Sequence, residues 1–116
     1  MRGRSVRVKI FAATLMLGPV LAWIVPSFAD ESATEVRVSN GRFEPPTLTI
    51  GANTPTRIKV VNSGTAPIEF ESFELNRERI VPAGQSVTVF IPSLSPGTYH
   101  FFDDFHRDTQ GTLIAQ

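Results

Sequence analysis

Gly97-Thr98-Tyr99-His100-Phe101-Phe102-Asp103-Asp104-Phe105-His106-Arg107-Asp108-Thr109-Gln110-Gly111-Thr112-Leu113-Ile114-Ala115 is the stretch whose reading decides the fold. Tyr99 and Phe101 alternate with His100 and Phe102, the period-two signature of a strand. A polar segment, Asp103 to Gln110, reads as a loop, and Gly111 to Ala115 reads as a final strand. Asp103, Asp104, His106 and Asp108 fall within that loop, so metal-ligand side chains are concentrated between two strands at the chain end.

Working outward, the same periodicity recurs. Glu35 to Ser39, Thr47 to Ile50, Arg57 to Val61 and Gln85 to Ile91 alternate apolar with polar residues. Ile68 to Leu75 alternates strictly only in its first half, and Glu78 to Val81 is a short further strand. Asn40-Gly41, Asn53-Thr54-Pro55, Asn62-Ser63-Gly64 and Pro82-Ala83-Gly84 supply turns between them. No segment after residue 30 carries helical periodicity with caps. Seven or eight short strands with a turn about every ten residues predict an all-β, Greek-key β-sandwich.

The first 29 residues read differently. Arg2, Arg4, Arg7 and Lys9 precede an uncharged run from Ile10 to Val25, and Ser27-Phe28-Ala29 ends it with small residues. That is the pattern of a signal peptide at 1–29, with a domain at 30–116. An uncleaved anchor on the same exported domain is the alternative. The run is short for a membrane span of about 20 residues. Four of the eleven basic residues and none of the eleven acidic ones lie in this leader, so the remaining domain has a net charge of about −4. An acidic domain does not suit nucleic-acid binding, which needs a basic face. The chain has no cysteine, which excludes disulfides, a thiol nucleophile and a copper–thiolate centre. There is no Gly-x-Ser-x-Gly elbow and no Gly-rich phosphate loop, and a small sandwich offers little room for a hydrolytic cleft.

The tail resembles the C-terminal motif of cupredoxins, written G-x-Y-x-Y/F-x-C-x-x-H-x-x-M-x-G-x-L-x-V. Gly97, Tyr99, Phe101, Gly111 and Leu113 match its strands without a gap, and His106 matches its histidine. Asp103 stands at the cysteine position and Thr109 at the methionine. Phe43 to Ala52, Val60 to Pro67 and Pro82-Ala83-Gly84 resemble three earlier segments of the family, so the likeness spans about 36–115. Glu69-Phe70-Glu71-Ser72 together with Phe101 to His106 is similar to the small periplasmic cupredoxins of bacterial iron uptake and to the cupredoxin-like module of the EfeO family. The resemblance implies a periplasmic protein that binds copper, or alternatively iron, and works beside a membrane iron permease or another periplasmic iron-uptake protein.

The implied ligands are Glu69, Glu71, Asp103 and His106. The first family histidine falls on Ile68, which cannot ligate, and its neighbours Glu69 and Glu71 can. Carboxylates and an imidazole suit Cu(II), Fe or Zn better than Cu(I). Asp103 continues the core-facing parity of Tyr99 and Phe101, so its carboxylate must coordinate, be paired, or cap the turn. Parity directs Glu69 and Glu71 away from Phe70, which calls for a bulge to aim one of them at the tail loop. Phe73, Phe102 and Phe105 are either core or an apolar rim for a partner. Two functions remain at this level. One is metal binding for iron uptake, by Fe(II) oxidation and electron transfer or by delivery to a permease. The other is a metal-free interaction module that has kept the fold and lost the site.

Overall fold

The computed structural model describes residues 3–13, 18 and 34–116. Residues 3–13 carry no helix or strand and are exposed. Most of the expected leader, with its cleavage point after Ala29, lies outside the described residues.

Among the described residues nine strands form two sheets. They are β1 (Thr34–Ser39), β2 (Arg42–Glu44), β3 (Thr47–Ile50), β4 (Thr56–Asn62), β5 (Ile68–Ser72), β6 (Arg77–Val81), β7 (Ser86–Ile91), β8 (Gly97–Asp103) and β9 (His106–Ala115). One sheet has the order β2-β1-β4-β7 and the other β3-β9-β8-β5-β6. β1 pairs with β4, and β3 with β9, in parallel; the other pairings are antiparallel. This is the β-sandwich that the alternation predicts.

The alternating positions become the core. Val36, Val38, Ile58, Val60, Val89 and Ile91 from one sheet meet Leu48, Ile68, Phe70, Val81, Phe101 and Leu113 from the other, all buried. Sandwich cores of this kind are built from the inward half of each strand. The Phe101 ring stacks on Phe70 at 5.1 Å and meets Phe43 edge-on at 4.9 Å. The β1–β2 hairpin turns at Asn40 (φ 51°) and Gly41 (φ 69°), the two positive φ values that a two-residue turn of this hand needs.

Two local readings change. Phe43 does not merely lead into a strand: it sits in β2, paired with Val38. The tail is a tighter hairpin than the expected loop from Asp103 to Gln110. Asp103 pairs with His106 and β9 begins there, while the register shifts between Phe102 and Asp103. The cause is local bonding, because the Phe105 backbone N–H donates to Asp103 Oδ1 at 3.0 Å and closes the turn.

Candidate functional site

The hairpin register sorts the four expected ligands into two groups. Asp103 lies opposite Phe70, on the core side of its sheet. Glu69 and Glu71 flank Phe70 on β5 and so project from the outer side. The sheet itself stands between the two pairs, and no bulge in β5 re-aims either glutamate.

The first group lies at one pole of the sandwich. Ile68, Asp103, His106 and Thr109 line one cavity of about 350 Å³, with Val38, Asn62 and the adjoining loops. These are the four positions that the tail and mid-chain resemblance picks out, brought together as the frame implies. Their chemistry is another matter. Asp103 is 2 % exposed. Its Oδ1 accepts the backbone N–H groups of Glu69 and Phe105, each at 3.0 Å, and its Oδ2 lies 3.0 Å from His106 Nδ1. A carboxylate only accepts, so Nδ1 carries the proton in this contact and Nε2 is left without a hydrogen-bond partner among the described residues. Thr109 donates its hydroxyl to the Gly41 carbonyl at 3.0 Å. Ile68 has no donor atom to offer a metal. Copper of the cupredoxin kind therefore does not fit here: there is no thiolate, and both the carboxylate and the ring Nδ1 are engaged with protein groups.

The second group lies on the outer face of β5 and β6. Glu71 and Glu78 are cross-strand partners, and one carboxylate oxygen from each of Glu69, Glu71 and Glu78 lies within 4.8 Å of the others. Glu69 is covered by its neighbours, Glu71 is half-buried and Glu78 is exposed. Among the described residues none of the three has a Lys, Arg or His ion-pair partner. Arg77 and Arg79 point the other way, donating to the Phe90 and Thr88 carbonyls of β7. Arg107 is held by Asp104, at 2.7 Å. Glu78 was not a sequence candidate. Its membership depends on the β5–β6 register, in which the four-residue connection 73–76 sets Ser72 opposite Arg77 and Glu71 opposite Glu78; centring the hairpin between Glu74 and Leu75 finds it.

Crowded like charges move the titration. A side-chain hydrogen bond with Glu78, then burial, then the charges of Glu78, Asp104 and Glu71 raise Glu69 from its ordinary 4.5 to about 7. Glu71 is raised by burial first, then by Glu78 and Asp104, with Arg107 opposing. Glu69 thus holds its proton up to near neutral pH. Because the folded pKa of Glu69 is the raised one, the folded state keeps a proton that the unfolded chain has lost. The Glu69 contribution to stability of the metal-free protein is expected to be fully present below about pH 4.5, to be lost as pH rises through about 7, and to level off above it. Thermal unfolding in chelator between pH 5 and 8 checks this. Glu69→Gln should flatten the slope; an unchanged slope would place its origin elsewhere.

The remaining candidates are peripheral. His100 is exposed and paired with Glu74 at 2.8 Å. The Phe73 and Phe102 rings meet at 5.2 Å on the outer face, and Phe105 is 45 % exposed at the tail turn.

Comparison with known proteins agrees with this architecture. The family model for the cupredoxin-like domain matches residues 10–115. An uncharacterized protein of Rickettsia prowazekii (strain Madrid E) is 31% identical over 113 residues, covering 91% of this chain and 90% of that one. Amicyanin from Paracoccus versutus superposes with a TM-score of 0.60 at 20% identity, over 74% of this chain and 83% of its own. Auracyanin B gives 0.60 at 20% identity, over 72% and 88%. A reduced Cu(I) form of an amicyanin variant gives 0.61 at 14% identity, over 74% and 84%.

Proposed function

The chain belongs to the cupredoxin-like domain family, and on that premise we propose that it is an exported, periplasmic cation carrier serving iron uptake. The cargo is iron or Cu(II), held by the carboxylates of Glu69, Glu71 and Glu78 and handed to a membrane permease or another periplasmic uptake protein. The observation that supports this reading is the convergence of those three carboxylates on an outer sheet face with no Lys, Arg or His ion-pair partner among the described residues. Oxygen-only donors favour hard cations. The Cu(I) of the amicyanin variant belongs to a softer chemistry that this cluster does not offer.

Delivery is favoured over copper-centred electron transfer, because the chain has no cysteine to supply a thiolate. A second reading, a metal-free interaction module, draws support from the pole, where Ile68 and Thr109 occupy two of the family's ligand positions.

Isothermal titration of the purified chain with Fe(III), Cu(II) and Zn(II) tests the carrier. One equivalent is expected to bind. Glu78→Gln should weaken it at least about tenfold, and Glu69→Gln/Glu71→Gln should remove it, since the surviving carboxylate cannot hold a cation against water. Equal affinity in wild type and the Glu69→Gln/Glu71→Gln variant would sink the carrier and leave the interaction module.

A further inference from the structure

Three of the buried polar residues gather at the pole and each ties one chain segment to another. Asn62, 1 % exposed, donates through Nδ2 to the Ala66 carbonyl at 2.9 Å and the Val81 carbonyl at 3.0 Å, and accepts the Gly64 N–H at 2.9 Å. Thr109, 3 % exposed, reaches across 68 residues to Gly41 in the β1–β2 turn. Asp103 joins β5, the β8–β9 turn and the start of β9 through Glu69, Phe105 and His106. Every one of these side-chain groups is used.

A bound metal ion can close the loops at one end of a sandwich by drawing side chains from different segments onto one centre. We propose that here the Asp103 carboxylate, supported by Asn62 and Thr109, performs that closure as a metal-independent clamp and keeps cations out of the pole. The carboxylate satisfies the two conditions for a buried charge, since it is hydrogen-bonded by several donors and paired with a ring that can carry a proton. Three of its roughly four acceptor sites are taken by N–H groups of Glu69, Phe105 and His106, so a cation that used the carboxylate as a chelating ligand would have to break some of these bonds. His106 keeps only Nε2 free, and one imidazole nitrogen with at most a leftover lone pair of the Asp103 carboxylate falls short of the three or four protein ligands of a metal site. The pole is thus separate from the Glu69–Glu71–Glu78 cluster, and this inference does not depend on the carrier reading.

The test uses the full chain, with thermal unfolding in EDTA and with added Cu(II), and metal titration of His106→Ala. Wild type should melt within about 2 °C with or without EDTA. Asp103→Ala should fall by more than about 10 °C in both conditions, as expected for a small domain losing several buried bonds. If it does not fold, Asp103→Asn serves instead: it keeps an oxygen for the two backbone donors but turns an amide toward His106, and an intermediate fall is expected. His106→Ala should change cation affinity by less than about twofold, the change expected for a residue outside the site. Chelator-sensitive stability, a tenfold loss of affinity in His106→Ala, or wild-type melting of both Asp103 variants would overturn the clamp. Failure of the chain to bind any cation would count against the carrier alone, because the EDTA and Asp103 measurements stand without metal.

Discussion

Phe101→Ala is expected to lower stability by about 3–5 kcal/mol, and the midpoint of thermal unfolding by about 15–30 °C. The ring is 1 % exposed and lies between Phe43 and Phe70, so truncation opens a cavity walled by two other rings that cannot both collapse into it. A third wall is backbone. Phe101 is directly opposite Gly111 on β9, and a Cβ at Gly111 would lie 2.3 Å from two of the ring carbons. The ring therefore occupies the volume that any other residue at 111 would fill. Gly111→Ala is expected to cost about 1–3 kcal/mol by overpacking. Combined with Phe101→Ala, its cost should nearly vanish, because the added methyl then enters the cavity. A double-mutant cycle by urea unfolding measures this coupling. Additive losses would mean that ring and glycine are not in contact.

The same pair shows how far the sequence can be read. Strand parity along Tyr99 and Phe101, with Gly111 and Leu113 beyond, is visible without a structure because side chains alternate strictly in a strand. The match of Ile68, Asp103, His106 and Thr109 to one family frame brings the mid-chain Ile68 and three tail positions to one cavity, where the structure has them. Parity also places Glu69 and Glu71 away from Phe70, whereas resemblance draws them toward the pole. In the structure parity prevails, since moving them would require a bulge that β5 lacks. The role of Glu78 depends on a turn register, which one residue more or less in the β5–β6 connection would shift. The hairpin from Asp103 to His106 was hidden because a run rich in Asp reads as loop; here one of those carboxylates bonds the turn's own N–H and closes it.

Asn62→Asp is expected to be as damaging as Phe101→Ala, about 3–5 kcal/mol at pH 7, although it changes no heavy-atom shape. The amide Nδ2 of Asn62 faces two carbonyl oxygens, of Ala66 and Val81, while Oδ1 accepts the Gly64 N–H. An ionised carboxylate would keep the Gly64 bond and set a negative oxygen against both carbonyls in a site shielded from water. Asn62→Ala only removes the partners and is expected to cost about 2–3 kcal/mol, so the isosteric change should be the worse of the two. The pH dependence separates them. Burial and the two carbonyls raise the folded-state pKa of the new carboxyl above its unfolded value. Stability of Asn62→Asp should therefore recover as pH falls toward 4–5, where a protonated carboxyl again donates a hydrogen bond. Asn62→Ala should follow the wild-type profile. Urea unfolding of both variants at pH 5 and 7 gives the comparison. If Asn62→Asp shows no recovery at low pH, the amide is not the donor that ties β4 to β6, and the clamp at the pole would rest on Asp103 and Thr109 alone.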